Sequence, residues 1–203
     1  MILSKAPFLG KQTQVGDMPC YPRRQPARFK AKCDQALKDY VLGDEKTFAY
    51  CDPTSPESCL QLAEVLNRYV TAEGPYDGII GFSFGACIAI SWMLYLRQEG
   101  GGKAKLPFKV GIFFSNALPL SDLNALRQGQ IKHLIKPPEC LDLPSAHIWG
   151  AKDAGHENAR FACETCSAST RAVYIHDKGH GIPTSVDDTV SMVKTINRAI
   201  MSV

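Results

Sequence analysis

The chain has 203 residues, of which 45% are apolar and 21% charged, the balance of an ordinary globular protein with enough length to bury a substantial core. A net charge of +3 gives no case for nucleic acid as a partner, and the basic run Arg23, Arg24, Arg28, Lys30, Lys32 and Lys38 is interleaved with Asp34 and Asp39, as a solvated surface segment would be. Met1-Ile2-Leu3-Ser4-Lys5 has no long apolar core of a secretory signal, and Ala199-Ile200-Met201-Ser202-Val203 reads as neither an anchor nor an organelle address. The expectation is one soluble, cytoplasmic domain over residues 1–203, free of membranes, with 1–45 an irregular or divergent N-terminal segment.

In chain order, residues 1–28 show no periodicity and carry Pro7, Pro19, Pro22 and Pro26, which predicts irregular structure. A short helix through Cys33, Ala36, Leu37 and Tyr40 is expected next, then a strand over residues 47–51. Thr54-Ser55-Pro56-Glu57 fits a capping box with proline in the first turn. Behind it Leu62, Val65, Leu66, Tyr69 and Val70 repeat at helical spacing until Gly74-Pro75. Tyr76-Asp77-Gly78-Ile79-Ile80 suits a buried strand, and residues 86–96 are apolar almost throughout, long enough for a buried helix. Together residues 79–96 approach membrane-spanning length, but a glycine-serine turn interrupts them. After the turn Gly100-Gly101-Gly102 comes a strand over 108–114 and then a mixed, proline-bounded stretch over 118–138 suited to a helical excursion or lid. A strand over 146–149, a helix over 157–167 and a strand over 171–176 follow. Ser185 caps a last amphipathic helix carrying Val186, Val190, Val193, Ile196 and Ile200. No internal repeat is present. Strands alternating with helices predict an α/β protein with a mainly parallel sheet and helices on both faces.

The interrupting turn is the most informative segment. Gly81-Phe82-Ser83-Phe84-Gly85 is a G-x-S-x-G motif set between strand and helix, the context of a nucleophile elbow in the α/β-hydrolase fold. There a serine sits on a strained turn with its hydroxyl above the sheet, and the helix behind it aims free N–H groups at a developing oxyanion. A serine nucleophile needs a base, and the base an orienting acid, in chain order Ser, Asp or Glu, His on loops beyond the carboxyl ends of strands. Asp153, in Gly150-Ala151-Lys152-Asp153, and His180, in Gly179-His180-Gly181-Ile182-Pro183, occupy such loops. Ser83, Asp153 and His180 are therefore the expected catalytic residues, with the backbone N–H of Phe84 as one oxyanion donor. His176 and Asp122 are the alternatives for base and acid. His147 fits a packing role within a strand, His156 a helix cap and His133 the surface, while Asp177 is too near His180 in sequence to orient it. Phe82, Phe84, Leu118, Leu120 and Ile182 are candidates for an apolar acyl pocket, each also suited to plain core packing.

Eight cysteines accompany no secretion signal, so a disulfide framework is not expected. Cys87 falls in the elbow helix as a small core residue. Cys163-Glu164-Thr165-Cys166 is a C-x-x-C without a second pair or spaced histidines to complete a zinc site. No metal and no cofactor are expected.

Pro53-Thr54-Ser55-Pro56-Glu57-Ser58, residues 73–83 and Gly179-His180-Gly181-Ile182-Pro183 resemble the fungal-type family of serine hydrolases. These are small α/β-hydrolases that include esterases and thioesterases, several of them tied to polyketide gene clusters. The likeness spans roughly residues 45 to 200. It implies a Ser83, Asp153 and His180 triad and ester or thioester substrates with an acyl chain, carrier-bound among them. Phe84 stands where the family usually has glutamine. The family's opening apolar strand, running into a Leu-His-Gly loop that helps build the oxyanion hole, has no counterpart between Met1 and Tyr50, which leaves open a sheet without its first strand. The rival readings are a peptidase or amidase with the same triad, a catalytically impaired pseudo-hydrolase that binds acyl ligands, and a truncated product without a stable fold.

Overall fold

The computed structural model describes residues 2–4, 13–14, 21–22, 48–102, 104–136 and 141–203. In chain order the elements are β1 (Ile2–Ser4), β2 (Thr13–Gln14), β3 (Tyr21–Pro22), β4 (Phe48–Ala49), α1 (Pro56–Glu73), β5 (Gly78–Phe82), α2 (Phe84–Glu99), β6 (Val110–Phe114), α3 (Leu123–Arg127), β7 (Ser145–Gly150), α4 (His156–Glu164), β8 (Arg171–His176) and α5 (Val186–Ile200). The main sheet has six strands in the order β2-β1-β5-β6-β7-β8. Strands β5 to β8 are parallel to one another, and β1 is antiparallel to β5. The α/β reading with a mainly parallel sheet holds.

Local chemistry accounts for the helices. Ser55 caps α1 by accepting from the Ser58 N–H, and Pro56 takes the first helical position, where its missing N–H has no consequence. Ser185 caps α5 in the same way through Asp188 N–H. Helix α2 lacks a polar face over most of its length because it is enclosed: Ala86, Cys87, Ala89, Ile90, Trp92, Met93 and Leu94 are all buried. It packs in one core with Ile79 of β5 and Phe113 of β6. The opposite sheet face carries Val110, Ile112 and Ala146 against Ile196, Ala199 and Ile200 of α5. Neighbouring strand residues thus divide between two layers, as period-two alternation requires. Each fully buried Ile or Met of these cores contributes roughly 1.5–3 kcal/mol over an exposed one.

Three expectations differ from the structure. Residues 1–28, expected to be irregular, contribute β1, β2 and β3, short strands held by pairing across the chain rather than by any period of their own. The strand expected over 47–51 is the two-residue β4, paired with β3 outside the main sheet. In α5, Ile196 and Ile200 pack on the sheet while Val186, Val190 and Val193 face outward at 78%, 46% and 49% exposure. The buried stripe runs instead through Met192, Thr195 and Ala199. The short helix expected within 29–42 lies outside the described residues. Among the described residues no helix is long and apolar enough to cross a membrane.

Register fixes the site. Phe82 pairs with Phe114, Phe114 with Ile148, and Gly150 with His176, so β5 and β6 end level, β7 and β8 end level two residues further on, and all four deliver their following loops to one edge of the sheet. Crevices outside the carboxyl ends of parallel strands are where ligands of open α/β sheets bind.

Candidate active site

Ser83 follows β5 directly and has φ 53° and ψ −121°, a left-handed conformation that a side-chain-bearing residue adopts only when its surroundings impose it. Two contacts impose it here. Its N–H donates to Phe114 O of the neighbouring strand at 2.9 Å, and its carbonyl accepts from Ala86 and Cys87 N–H at the start of α2. Gly81 permits the close return of the helix: a Cβ there would lie 2.6 Å from the Ala86 Cα. The first-turn N–H groups of α2, that of Phe84 foremost, have no carbonyl four residues back within the helix, so a helix N-terminus stands beside the Ser83 hydroxyl.

The acid and histidine loops meet that hydroxyl together. His180 Nε2 lies 2.9 Å from Ser83 Oγ, and His180 Nδ1 lies 2.8 Å from Asp153 Oδ2. The other Asp153 oxygen accepts the Gly155 N–H at 2.8 Å. Asp153 is 4% exposed. Burial works against its charge, but hydrogen bonds from His180 and the Gly155 N–H outweigh that and hold the carboxyl below the usual range. The loops are zipped by Ala151 N–H to His176 O at 2.7 Å and Lys152 N–H to Lys178 O at 3.0 Å. Gly150 permits the approach, since a Cβ there would lie 2.2 Å from the carbonyl oxygens of both Lys178 and Gly179.

The alternatives are occupied elsewhere. Asp122 caps α3, accepting from Asn124 and Ala125 N–H. His176 is buried, its Nδ1 accepting from Lys178 N–H. His147 is buried against Phe113 and bonded to Ser145 Oγ. His156 begins α4 with its Nδ1 on the Asp153 carbonyl. Asp177 pairs with Lys178 at the surface, and His133 bridges to Ser121.

The apolar candidates divide into two groups. Phe82, 42% exposed, tilts against the His180 ring at 5.3 Å, and Ile182, 48% exposed, lies on the same histidine loop. These two sit at the open side of the site. Leu118 is half-buried against the core, and Leu120 is fully buried beneath a cavity of about 290 Å³ lined also by Pro119, Leu134 and Phe161. Phe84 is half-buried and tilts against Tyr50 at 6.3 Å.

Two residues that the sequence reading did not single out belong to this edge. Ser115, the first residue after β6, has φ 44° and is buried beside the elbow, its N–H on Ile148 O at 2.8 Å. Asn116 donates from Nδ2 to Leu118 O at 3.0 Å and Asn158 O at 3.3 Å, and Asn158 Nδ2 returns a bond to Ala117 O at 2.9 Å. This reciprocal clamp braces the loop after β6 against α4, just behind the acid loop. The available signal was position alone: both follow a strand at its carboxyl end.

A parallel sheet whose elbow strand, acid loop and histidine loop converge at one edge, flanked by helices on both faces, is an α/β-hydrolase fold. The chain belongs to the serine hydrolase (FSH1) family, which matches residues 17–192. It is 32% identical over 168 residues to Esterase FPY3 of Fusarium mangiferae, covering 79% of this chain and 75% of that relative. It is 28% identical over 184 residues to Esterase OVCA2 of Bos taurus, covering 89% of this chain and 71% of the relative. Hydrolase FUB4 of Gibberella moniliformis is 42% identical over a shorter 103 residues, 50% of this chain and 35% of the relative.

Proposed function

We propose that this hydrolase is a serine esterase that cleaves a carboxylic ester or acyl thioester through Ser83, His180 and Asp153. The observation that carries the reading is the unbroken hydrogen-bond chain from Ser83 Oγ through His180 to the buried Asp153. His180 Nε2 takes the Ser83 proton as Oγ attacks the carbonyl carbon, and then gives it to the departing alcohol or thiol. Asp153 holds the Nδ1–H and stabilises the imidazolium. The Phe84 N–H receives the oxyanion, an interaction whose loss typically costs about 10²–10³ in rate. Water, deprotonated by the same histidine, then releases the acyl group and restores Ser83.

Phe82 and Ile182 supply an apolar rim beside His180, which favours an acyl chain over a small polar group. Relatives named esterase support an ester substrate; a thioester on an acyl carrier and a place in fungal polyketide metabolism are the further suggestions of the family resemblance. The test is turnover of short- and medium-chain p-nitrophenyl esters and acyl thioesters by the purified chain, with Ser83→Ala as control. Hydrolysis that disappears in the variant supports the reading.

One observation favours a second reading, an acyl-binding protein with impaired catalysis. Strand β1 runs antiparallel to β5, with Ser4 opposite Gly78, so the chain leaves β1 at the end of β5 far from Ser83. Ligand binding to a folded protein without turnover supports that reading instead.

A further inference from the structure

Behind the elbow helix, apart from the Ser83–His180–Asp153 chain, two sulfurs are held almost in contact. Cys51 Sγ and Cys59 Sγ lie 3.6 Å apart. With Cys87, Phe84 and Leu62 they border a small apolar cavity of about 30 Å³. The backbone sets this spacing. Asp52 N–H donates to Ser58 Oγ at 3.0 Å, Ser55 N–H to Asp52 O at 3.1 Å, and Cys59 N–H to Ser55 O at 3.1 Å. Cys59 Sγ also lies 3.3 Å from Asp52 O. Residues 51–55 are therefore folded back on the first turn of α1, and both cysteines project to one point.

We propose that Cys51 and Cys59 form a redox-active dithiol that closes to an intramolecular disulfide when a peroxide or a small-molecule disulfide reaches it. A disulfide needs a sulfur separation of about 2.05 Å, so closure asks for a movement of about 1.5 Å, within reach of side-chain rotation. Cys59 is the attacking sulfur: it is half-buried where Cys51 is 2% exposed. Either sulfur can donate in this contact; with the Cys51 S–H donating, the bond favours the Cys59 thiolate and lowers its pKa, while the same bond, together with burial, raises that of Cys51.

With hydrogen peroxide, the Cys59 thiolate attacks one oxygen, the O–O bond breaks and hydroxide leaves, taking up a proton as water. Cys51 sulfur then attacks the Cys59 sulfenic sulfur, the S–O bond breaks, and hydroxide departs with the Cys51 proton as a second water. Two thiols have lost two electrons and the peroxide has gained them. With oxidised glutathione the same attack gives a mixed disulfide, which Cys51 resolves, releasing two glutathione thiols in all. The remaining described cysteines are poor competitors. Cys87 donates to Pro119 O, and burial pushes its thiol up to about 12; burial likewise pushes Cys163 up to about 11. The new bond fastens the Tyr50–Asp52 arm to α1. Tyr50 in turn rests on Phe84, the residue after Ser83.

The test needs no assumption about catalysis. The full chain is equilibrated under native conditions in glutathione buffers from fully reduced to fully oxidised, quenched in acid, alkylated with N-ethylmaleimide and mapped by mass. The expected product is a Cys51–Cys59 linked species, lighter by two hydrogens, reversed by dithiothreitol, with Cys87, Cys163 and Cys166 recovered alkylated. Cys59→Ser should abolish that species and leave Cys51 alkylated; if this variant does not fold, the wild-type map decides alone. Recovery of both Cys51 and Cys59 as alkylated thiols at the oxidising end, Cys59 joined to any other cysteine, or a mixed glutathione adduct as the end product would overturn the proposal.

Discussion

His180 and Ser83 are 97 residues apart in the chain, yet Nε2 and Oγ lie 2.9 Å from each other. Three devices hold that distance: the strained elbow at Ser83, the parallel register that brings the carboxyl ends of β5 to β8 to one edge, and the zipped acid and histidine loops.

In the proposed triad the Asp153 carboxylate, which can only accept, fixes the His180 proton on Nδ1. Asp153→Asn keeps the shape but offers an amide where the Nδ1–H needs an acceptor. The rate of ester hydrolysis should fall by about 10⁴, the scale seen when a triad histidine is held in the wrong tautomer. A loss below about tenfold in kcat would assign the orienting role elsewhere.

Gly150 is where the two loops touch. Gly150→Ala puts a methyl group 2.2 Å from two carbonyl oxygens of the histidine loop, so that loop must move. The change should lower stability by about 1–3 kcal/mol, as overpacking does, and lower kcat disproportionately because His180 is displaced. Thermal unfolding and steady-state kinetics on the same preparation test both parts. An active variant of unchanged Tm would contradict a close contact between the two loops at Gly150.

Asn116 reaches no reacting atom but clamps the loop after β6 onto α4 through Asn158. Asn116→Ala should leave KM within a few-fold and reduce kcat by about 10–100-fold, since misplacement of catalytic groups by about 1 Å has consequences of that size. Asn158→Ala should act in the same direction, and the double variant should be little worse than either, as expected of one shared clamp. Additive losses would mean that the two side chains act separately.

His147 makes a pH prediction about stability. Burial, reinforced by Arg171, pushes its pKa down to about 3 in the folded chain, against about 6.5 when unfolded. Between those values the unfolded chain binds the proton and the folded chain does not, so stability is lost as pH falls from about 6.5 toward about 3. Burial lowers the pKa of His176 as well, so its contribution has the same sign. Urea unfolding should show about 2 kcal/mol less stability at pH about 5 than at pH about 7.5, with a smaller difference in His147→Gln. Equal stability of the wild type at both pH values would contradict this.

Much of the site was legible because its signals are local. G-x-S-x-G between an apolar run and a helix specifies a strained turn within five residues, and glycines around His180 mark a loop directly after a strand. Asp153 could be chosen over Asp122 only by position, since the sequence does not disclose that Asp122 is spent on capping α3. Ser115 and Asn116 were not legible: a left-handed serine and a clamp to a residue 42 positions later are products of tertiary contact. The same limit applies to β1 to β3, whose pairing partners, not their own residues, make them strands. In α5 the heptad-like valines advertised one stripe, while the small Ala199, which lets the helix approach the sheet, decided for the neighbouring one.

The most direct test of the central claim is the rate of covalent labelling by a fluorophosphonate, read by intact mass and peptide mapping on wild type, Ser83→Ala and Asp153→Asn. An activated Ser83 predicts one adduct per wild-type chain, located on Ser83, absent from Ser83→Ala and formed far more slowly in Asp153→Asn. A folded wild-type chain that stays unlabelled, or that is labelled at another residue, would contradict it.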